Sequence, residues 1–291
     1  MVTELSIVIP AYNEEEAISS WYEEMVKFLG LIDINHEILI VDDGSTDRTA
    51  EIANKLKDAR LIRHQVNRGY GAALKTGIAE ATGNFVLIID ADGTYPAAEI
   101  PRLVSLMTNY DMVVGARTGQ SVVIPLYRRP AKWFLSHLAN YLSGTNIPDL
   151  NSGMRIFKRQ VARRYFGILP NGFSFTTTIT LAYHSDGLAV KYVPINYRRR
   201  AGSSKIKPFR DGFNFILLIV RSITYFNPLK VFIPVASGLL LASIFIAIYS
   251  ILILGRFMDV TTLILIIAAF QTGMFGMLAD VVVRSRNYES R

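Results

Sequence analysis

Apolar residues fall along this chain in short blocks, separated by stretches with helical periodicity. Leu5–Ile9 is the first block, and the pattern from Glu14 to about Leu29 is helical. Glu37–Val41 reads as a second strand, and Asp47 stands where it can cap a helix running to about Lys57. Arg60–His64 is a third strand, Gly71–Ala81 a helix and Phe85–Ile89 a fourth strand. Pro96–Met107 is the helix after it, and Met112–Gly115 a fifth strand. Short strands alternating with such helices predict an α/β fold, a parallel sheet covered by helices on both faces. No internal repeat or low-complexity segment interrupts the pattern.

The pattern changes near residue 230. Val231–Leu254 carries no charge, and neither does Val260–Ala279, between Asp259 and Asp280. Each run can cross about 30 Å of hydrocarbon as a helix, and only Gly255–Asp259 joins them. Two full-length runs so close together read as a transmembrane hairpin rather than as buried core helices. Lys205, Lys207, Arg210, Arg221 and Lys230 precede the hairpin, Arg284, Arg286 and Arg291 follow it, and the connecting loop has Arg256 as its basic residue. Basic residues on both outer flanks predict that the globular domain and both termini are cytosolic. The opening MVTELSIVIPAYNEEE has no basic leader before an apolar core, so no signal peptide is expected.

The expected chain is thus an integral protein of the cytoplasmic membrane, or of the endoplasmic reticulum in a eukaryote. Its divisions are a cytosolic domain over 1–205, a juxtamembrane interface helix over 206–230, the hairpin over 231–283 and a cytosolic tail over 284–291. Pro125–Leu142, basic and aromatic on one side and apolar on the other, has the make-up of another helix lying in the membrane interface. In the hairpin, Gly238, Ala242, Gly273 and Gly276 allow close helix approach, and Gln271 lies in mid-span. A homo-oligomer contact through these helices follows as an expectation.

Composition narrows the partners. The chain has no cysteine, which excludes disulfides, thiolate chemistry and palmitoylation. A formal charge of +7 suits a chain that lies on anionic lipid or handles phosphorylated substrates. The basic residues concentrate beside the membrane segments, so nucleic acid is not an expected partner.

In doubly wound sheets, ligands bind beyond the carboxyl ends of the strands. Here the first strand ends in Pro10-Ala-Tyr-Asn-Glu14 and the second in Asp42-Asp-Gly-Ser-Thr-Asp47. The fourth ends in Asp90-Ala-Asp92 and the fifth in Gly115-Ala-Arg117. A turn with a helix cap would explain the second of these alone. Acids at several strand ends point instead to a ligand site. Asp90 and Asp92 are hard oxygen donors at i and i+2, suited to Mg²⁺ or Mn²⁺, which keep waters and substrate phosphates in their shell. A diphosphate bridging the metal would complete such a site, with Asp43 and Glu14 placed to hydrogen-bond a base and ribose and Tyr12 offering an aromatic face. His36, His64, His137 and His184 are far apart in sequence and are expected on the surface or in the core. Gly69-Tyr70-Gly71 lacks a third glycine and follows a polar strand, so it is not read as a dinucleotide site.

The segments IVIPAYNEEE, ILIVDDGSTDRT, NRGYGAALKTGI, VLIIDADGTYP and DLNSGMRIFKR, in this order over about residues 4–207, resemble the motifs of family 2 glycosyltransferases with the GT-A fold. Within that family the chain is similar to dolichol-phosphate mannose synthases and bacterial polyprenyl-phosphate glycosyltransferases, and its C-terminal spans resemble those of the bacterial group. The resemblance implies a Rossmann-like, mostly parallel GT-A sheet. It also implies metal-dependent, inverting transfer of a hexose from a UDP- or GDP-sugar to polyprenyl or dolichyl phosphate.

By the same resemblance, Pro10, Tyr12 and Glu14 would line the nucleotide pocket and Asp43 would read the base, with Asp42 and Ala91 in the same nucleotide-sugar site. Asp90 and Asp92 would bind the diphosphate through Mg²⁺ or Mn²⁺. Mannose synthases often place a Gln ligand two residues past the second acid, where this chain has Thr94, one protein ligand fewer. Arg117 resembles a lipid-phosphate ligand. Lys132 and Ser136 fit the spacing of an Arg and Ser that grip the acceptor phosphate, with Arg128 and Arg129 one turn before. YRRRAGSSK resembles a segment that closes over the donor, implying Arg200 and Lys205 on the diphosphate and Ser203 and Ser204 in the hinge; a membrane-facing patch is the alternative for this basic run. Asp149 has two readings: it orients the sugar or a metal-bound water, or it caps the turn before Asn151-Ser152-Gly153.

Two other classes compete. Processive polysaccharide synthases share the nucleotide motifs but carry Gln-x-x-Arg-Trp, a context that neither Trp21 nor Trp133 occupies. A non-catalytic, membrane-tethered sensor of nucleotide sugars would not need acceptor cations together with an intact D-x-D pair.

Overall fold

The computed structural model describes residues 3–119, 140–141, 144–172, 174–198, 217, 220–221, 224–253, 255 and 259–289. Arg128, Arg129, Lys132, Ser136, Arg200, Ser203, Ser204 and Lys205 lie outside the described residues, as do most of both expected interface helices. The chain divides into two units, Met1–Phe215 and Ile216–Arg291.

The first unit is built on a seven-stranded sheet in the order β3-β2-β1-β4-β6-β5-β7. β1 (Leu5–Ala11) is buried at every position, as a central parallel strand covered on both faces must be. β2 (His36–Asp42) and β4 (Phe85–Ile88) flank it in parallel, and β3 (Ala59–Arg63) closes that edge. Leu5, Ile7 and Ile9 face α1 (Ile18–Leu29), whose stripe of Ile18, Trp21, Tyr22, Met25 and Leu29 keeps the 3–4 residue spacing of one helix face. Each such side chain contributes roughly 1.5–3 kcal/mol when fully buried. On the opposite face, α3 (Tyr70–Glu80) sets Gly77 against Val8 and Val41, where a Cβ would collide. Buried Ser6 on β1 keeps its hydroxyl satisfied between Glu37 Oε1, at 2.6 Å, and the Gly83 N–H, at 2.9 Å.

Beyond β4 the sheet, mostly parallel as expected, takes in one antiparallel strand that the sequence pattern did not place. β6 (Arg155–Lys158) runs antiparallel between β4 and β5 (Met112–Ala116), so β5 is not the neighbour of β4. β7 (Val190–Pro194) then adds in parallel to β5. α5 (Arg159–Arg164) and α6 (Phe175–Ser185) pack beside α3.

The helices after β2 and β4 are shorter than expected. The helix after β2 is α2 (Thr49–Ala53), after which Lys55 and Leu56 bond back three residues and end it. The stretch after β4 is a 3₁₀ turn (Ala97–Glu99) followed by α4 (Ile100–Val104). Pro101 sits in the first turn of α4, where a missing N–H costs nothing. Leu106, Met107 and Asn109 then bond back three residues rather than four.

The second unit holds α7 (Leu229–Leu252) and α8 (Asp259–Glu289), both long and apolar enough to cross a membrane. α8 continues as helix through 284–289, where a tail was expected. The pair meets where Ser243 Oγ donates to the Thr262 carbonyl at 3.1 Å and where Gly276 lies against Phe232. Large side chains such as Leu241, Phe245 and Phe270 point outward and are exposed. A two-helix hairpin that turns its apolar residues outward is matched to hydrocarbon as its solvent.

Candidate active site

The carboxyl ends of β1, β2, β4 and β5 share one edge of the sheet, and the loops beyond β1 and β2 are hydrogen-bonded to each other. Asn13 adopts φ 55°, a left-handed conformation that Asn tolerates better than most residues. Its N–H donates to Ser45 Oγ at 3.0 Å, and its Oδ1 accepts from the Thr46 N–H at 2.9 Å. The Glu14 N–H donates to Thr49 Oγ1 at 2.8 Å. Of the nucleotide-pocket candidates, Pro10 is buried within β1, Glu14 is half-buried and Tyr12 is exposed on this rim. Asp47 Oδ1 accepts from the Thr49 N–H at 2.9 Å, at the start of α2.

Asp42 and Asp43 are both turned inward. Asp42 is fully buried at the end of β2, accepting from the Ser45 N–H at 3.1 Å, with Arg63 Nε 3.2 Å from its other oxygen. Asp43 accepts the Arg68 N–H at 3.0 Å and the Gly69 N–H at 2.7 Å, and its Oδ1 lies 2.7 Å from His64 Nδ1. A carboxylate only accepts, so Nδ1 carries the proton. Asp43 therefore anchors the loop that leads into α3. His64 is buried, as a core histidine, with Nε2 3.0 Å from Thr76 Oγ1.

β4 stops at Ile88, so Asp90 and Asp92 stand on the turn beyond it rather than on a continuing strand, with Gly93 at φ 70°. Both are half-buried. Asp90 Oδ1 accepts the Tyr70 hydroxyl at 2.7 Å, and the carboxylate lies against Gly153, where a Cβ would overlap both its oxygens. Asp92 Oδ1 accepts the Thr94 N–H at 3.1 Å and the Thr94 hydroxyl at 2.6 Å. Thr94 thus orients Asp92. Ala91, between the acids, is buried. Tyr95, also buried, takes the Gly153 N–H on its hydroxyl at 2.6 Å. Burial, and then the charge of Asp90, hold the phenols of Tyr70 and Tyr95 above their ordinary range, so both keep their protons.

Arg117 and Asp149 form the other half of the site. Arg117 donates from Nε at 2.8 Å and from Nη2 at 2.9 Å to the two Asp149 oxygens, and its backbone N–H adds a third bond at 2.9 Å. Asp149 also accepts the Asn151 N–H at 3.2 Å, which is its turn-capping reading. Burial pushes the Asp149 carboxyl up, but the hydrogen bonds and charge of Arg117 outweigh it and leave the group below the ordinary range. Burial likewise works against the Arg117 cation, and the bond to Asp149 more than restores it. The guanidinium also lies 5.3 Å from the centre of the Tyr197 ring, which meets Tyr95 edge-on at 5.2 Å.

Sequence reasoning missed Tyr70, Tyr95, Tyr197 and Arg155. Arg155 is wholly buried and donates to the Ser152 carbonyl, the Thr176 carbonyl and Thr180 Oγ1, at 3.1, 3.0 and 2.7 Å, so it props the turn that carries Gly153. The available signal for Tyr70 was the GYG segment itself, and for Arg155 its place in NSGMR.

No cluster of three or more His, Cys, Asp or Glu exists among the described residues. Two half-buried carboxylates without a nitrogen or sulfur ligand fit Mg²⁺ or Mn²⁺, which fill their shells with water and substrate oxygens.

The family model for glycosyl transferase family 2 matches residues 6–166. A dolichyl-phosphate hexose transferase of Haloferax volcanii is 34% identical over 211 residues, covering 72% of this chain and 89% of that protein. A dolichyl-phosphate beta-glucosyltransferase of Dictyostelium discoideum is 28% identical over 242 residues, covering 75% and 73%. Among solved structures, glucosyl-3-phosphoglycerate synthase from Mycobacterium tuberculosis, in complex with Mn²⁺, UDP-glucose and phosphoglyceric acid, aligns with a TM-score of 0.57 at 22% identity. That alignment covers 76% of this chain and 80% of that one, a likeness of fold.

Proposed function

The chain belongs to glycosyl transferase family 2, and from that premise we propose that it moves a hexose from a UDP- or GDP-sugar to the phosphate of a membrane polyprenol. One observation carries the reading. Two half-buried carboxylates, Asp90 and Asp92, and the Arg117 cation come to one edge of one sheet. These are the groups that sugar transfer between two phosphates requires. The identity with a dolichyl-phosphate hexose transferase supports the acceptor class, and the outward-facing apolar hairpin supports a membrane-embedded acceptor.

The acceptor needs little general-base help, because a phosphate monoester is mostly dianionic near neutral pH, its second pKa being about 6. The barrier is the meeting of two anions. Mg²⁺ or Mn²⁺ at Asp90 and Asp92 would supply charge stabilisation for the departing nucleotide diphosphate. Thr94 holds Asp92 in place. Arg117 grips Asp149 through Nε and Nη2, which leaves Nη1 uncommitted among the described residues for an acceptor phosphate. Lys132, Ser136, Arg128 and Arg129 are proposed beside it, and Arg200, Ser204 and Lys205 over the donor.

Pro10, Tyr12, Glu14 and Asp42 form the proposed nucleotide side. Asp43, with three N–H groups on its carboxylate, retains acceptor capacity on Oδ2 for a base N–H. The proposed topology keeps the catalytic unit and both termini cytosolic, as the basic flanks suggest.

The test is direct. Membranes containing the chain are incubated with labelled UDP- and GDP-hexoses and polyprenyl phosphate, with Mn²⁺ or with EDTA. Metal-dependent label in the organic phase is expected from at least one donor. Label that stays aqueous with every donor, or that forms polymer, would overturn the reading.

A further inference from the structure

We propose that Tyr70 is a positioning residue for the metal-binding acids: its hydroxyl fixes the Asp90 carboxylate, and Asp43 holds the loop that presents it. The inference rests on the metal role proposed for Asp90 and assigns work to the GYG segment, which the reaction does not otherwise use.

The loop is constrained on two sides. Asp43 takes the N–H groups of Arg68 and Gly69, at 3.0 and 2.7 Å. Gly69 has φ 99°, a conformation that disfavours side chains, and Gly71 lies so close to the Pro170 and Gly172 carbonyls that a Cβ would collide with both. Tyr70, between these glycines, opens α3 with its backbone fixed. Its hydroxyl then reaches Asp90 Oδ1 at 2.7 Å, while Gly153 lies against the same carboxylate. Asp90 is thereby confined between a donor and a glycine, and the position of its carboxylate is set before any ligand arrives.

The acid on the nucleotide side and the acid on the metal side are linked through three residues of chain, Arg68 to Tyr70. Partners that orient a metal ligand typically influence metal affinity by about 10–100-fold. Removing the Tyr70 hydroxyl should act in that range, at about tenfold.

The experiment uses the full chain purified in detergent. Free Mn²⁺ is followed by electron paramagnetic resonance during titration in the presence of UDP and, in a second series, GDP. Tyr70→Phe is expected to weaken Mn²⁺ binding about tenfold. Tyr95→Phe, whose hydroxyl meets Gly153 rather than Asp90, is expected to change it less than about threefold. In an Asp90→Asn background, Tyr70→Phe should add no further loss, because its partner charge is already gone. Asp43→Asn, titrated with Mn²⁺ alone so that its proposed base contact plays no part, reads the same coupling from the other end of the loop and stands in for Tyr70→Phe if that variant does not fold. Unchanged affinity in Tyr70→Phe, or equal losses with and without the Asp90 carboxylate, would overturn the assignment. Sugar transfer by the wild-type chain is measured in parallel. Intact Mn²⁺ binding and an intact double-mutant cycle without any transfer would reject the proposed reaction and leave the Tyr70 assignment standing.

Discussion

Asp149→Asn keeps the shape of the side chain and removes its charge, which makes it a sharp probe of the clasp with Arg117. Asp149 accepts four N–H groups, three from Arg117 and one from Asn151. An amide in the same place has one accepting oxygen, so in either orientation two of those donors face an NH₂ group. The Asp149 side chain is 10% exposed and that of Arg117 27%. Removing one partner of a buried pair costs about 3–5 kcal/mol. Partial access of water to Arg117 puts the expectation near the lower end, about 3 kcal/mol, or a fall in Tm of roughly 6–12 °C for a domain of this size. The pH dependence has a definite sign. The folded carboxyl is held below its ordinary range, so its stabilisation is complete above the unfolded value, about pH 4, and is lost as pH falls through the folded value. Thermal unfolding followed by tryptophan fluorescence should therefore show the full gap at pH 7, closing progressively below about pH 4. A gap below about 1 kcal/mol, or one that stays constant down to pH 3, would refute the reasoning.

Gly153→Ala places a methyl against the Asp90 carboxylate. It should lower stability by about 1–3 kcal/mol and weaken Mn²⁺ binding; unaltered metal affinity would show that the carboxylate has room to move. Asp92→Asn should reduce metal-dependent transfer by about a hundredfold or more while shifting Tm by less than about 2 °C, since the residue is half-buried on a turn. Near-wild-type rates at saturating Mn²⁺ would remove it from the metal site. Truncation after Phe226 should preserve donor binding, measured by calorimetry, and impair transfer to polyprenyl phosphate in liposomes. A folded truncated chain without donor affinity would mean that the hairpin shapes the site.

The parts legible in the sequence were those written locally. The blocks that became β1, β2, β4 and β5 announce themselves as apolar runs ending in acids, glycine or proline, and Asp90 and Asp92 stand out because two charges directly follow Phe85–Ile89. β6 was not legible. Four residues, Arg-Ile-Phe-Lys, carry too little pattern, and their antiparallel place between two parallel strands is decided by the partners on either side. α6 was also hidden: Phe-Thr-Thr-Thr-Ile-Thr favours a strand by β-branching, and burial of that whole run overrides it. In the site, single residues could be named but their couplings could not. Tyr70 meets Asp90 across 20 positions and Arg117 meets Asp149 across 32, distances that only the sheet closes. Asp43 shows the same limit, since its type and position suggested a ligand contact and its hydrogen bonds make it a loop anchor as well.

The antiparallel β6 also bears on how such a protein can change over time. β5 leaves the sheet at Ala116, and the chain comes back beside that point, with Val114 registered to Arg155 and the Gly115 N–H on the Met154 carbonyl at 2.9 Å. The Arg117–Asp149 clasp closes the base of this excursion. Whatever occupies 118–148 therefore departs and returns at one place on the ligand edge, and its length and content can vary without moving the register of any strand. The parallel strands β1 to β4, which carry the proposed donor side, have no such freedom, because each crossover helix is packed into the core. Descent with modification would then vary this proposed acceptor side as a detachable cassette, while the proposed donor half is inherited as a block.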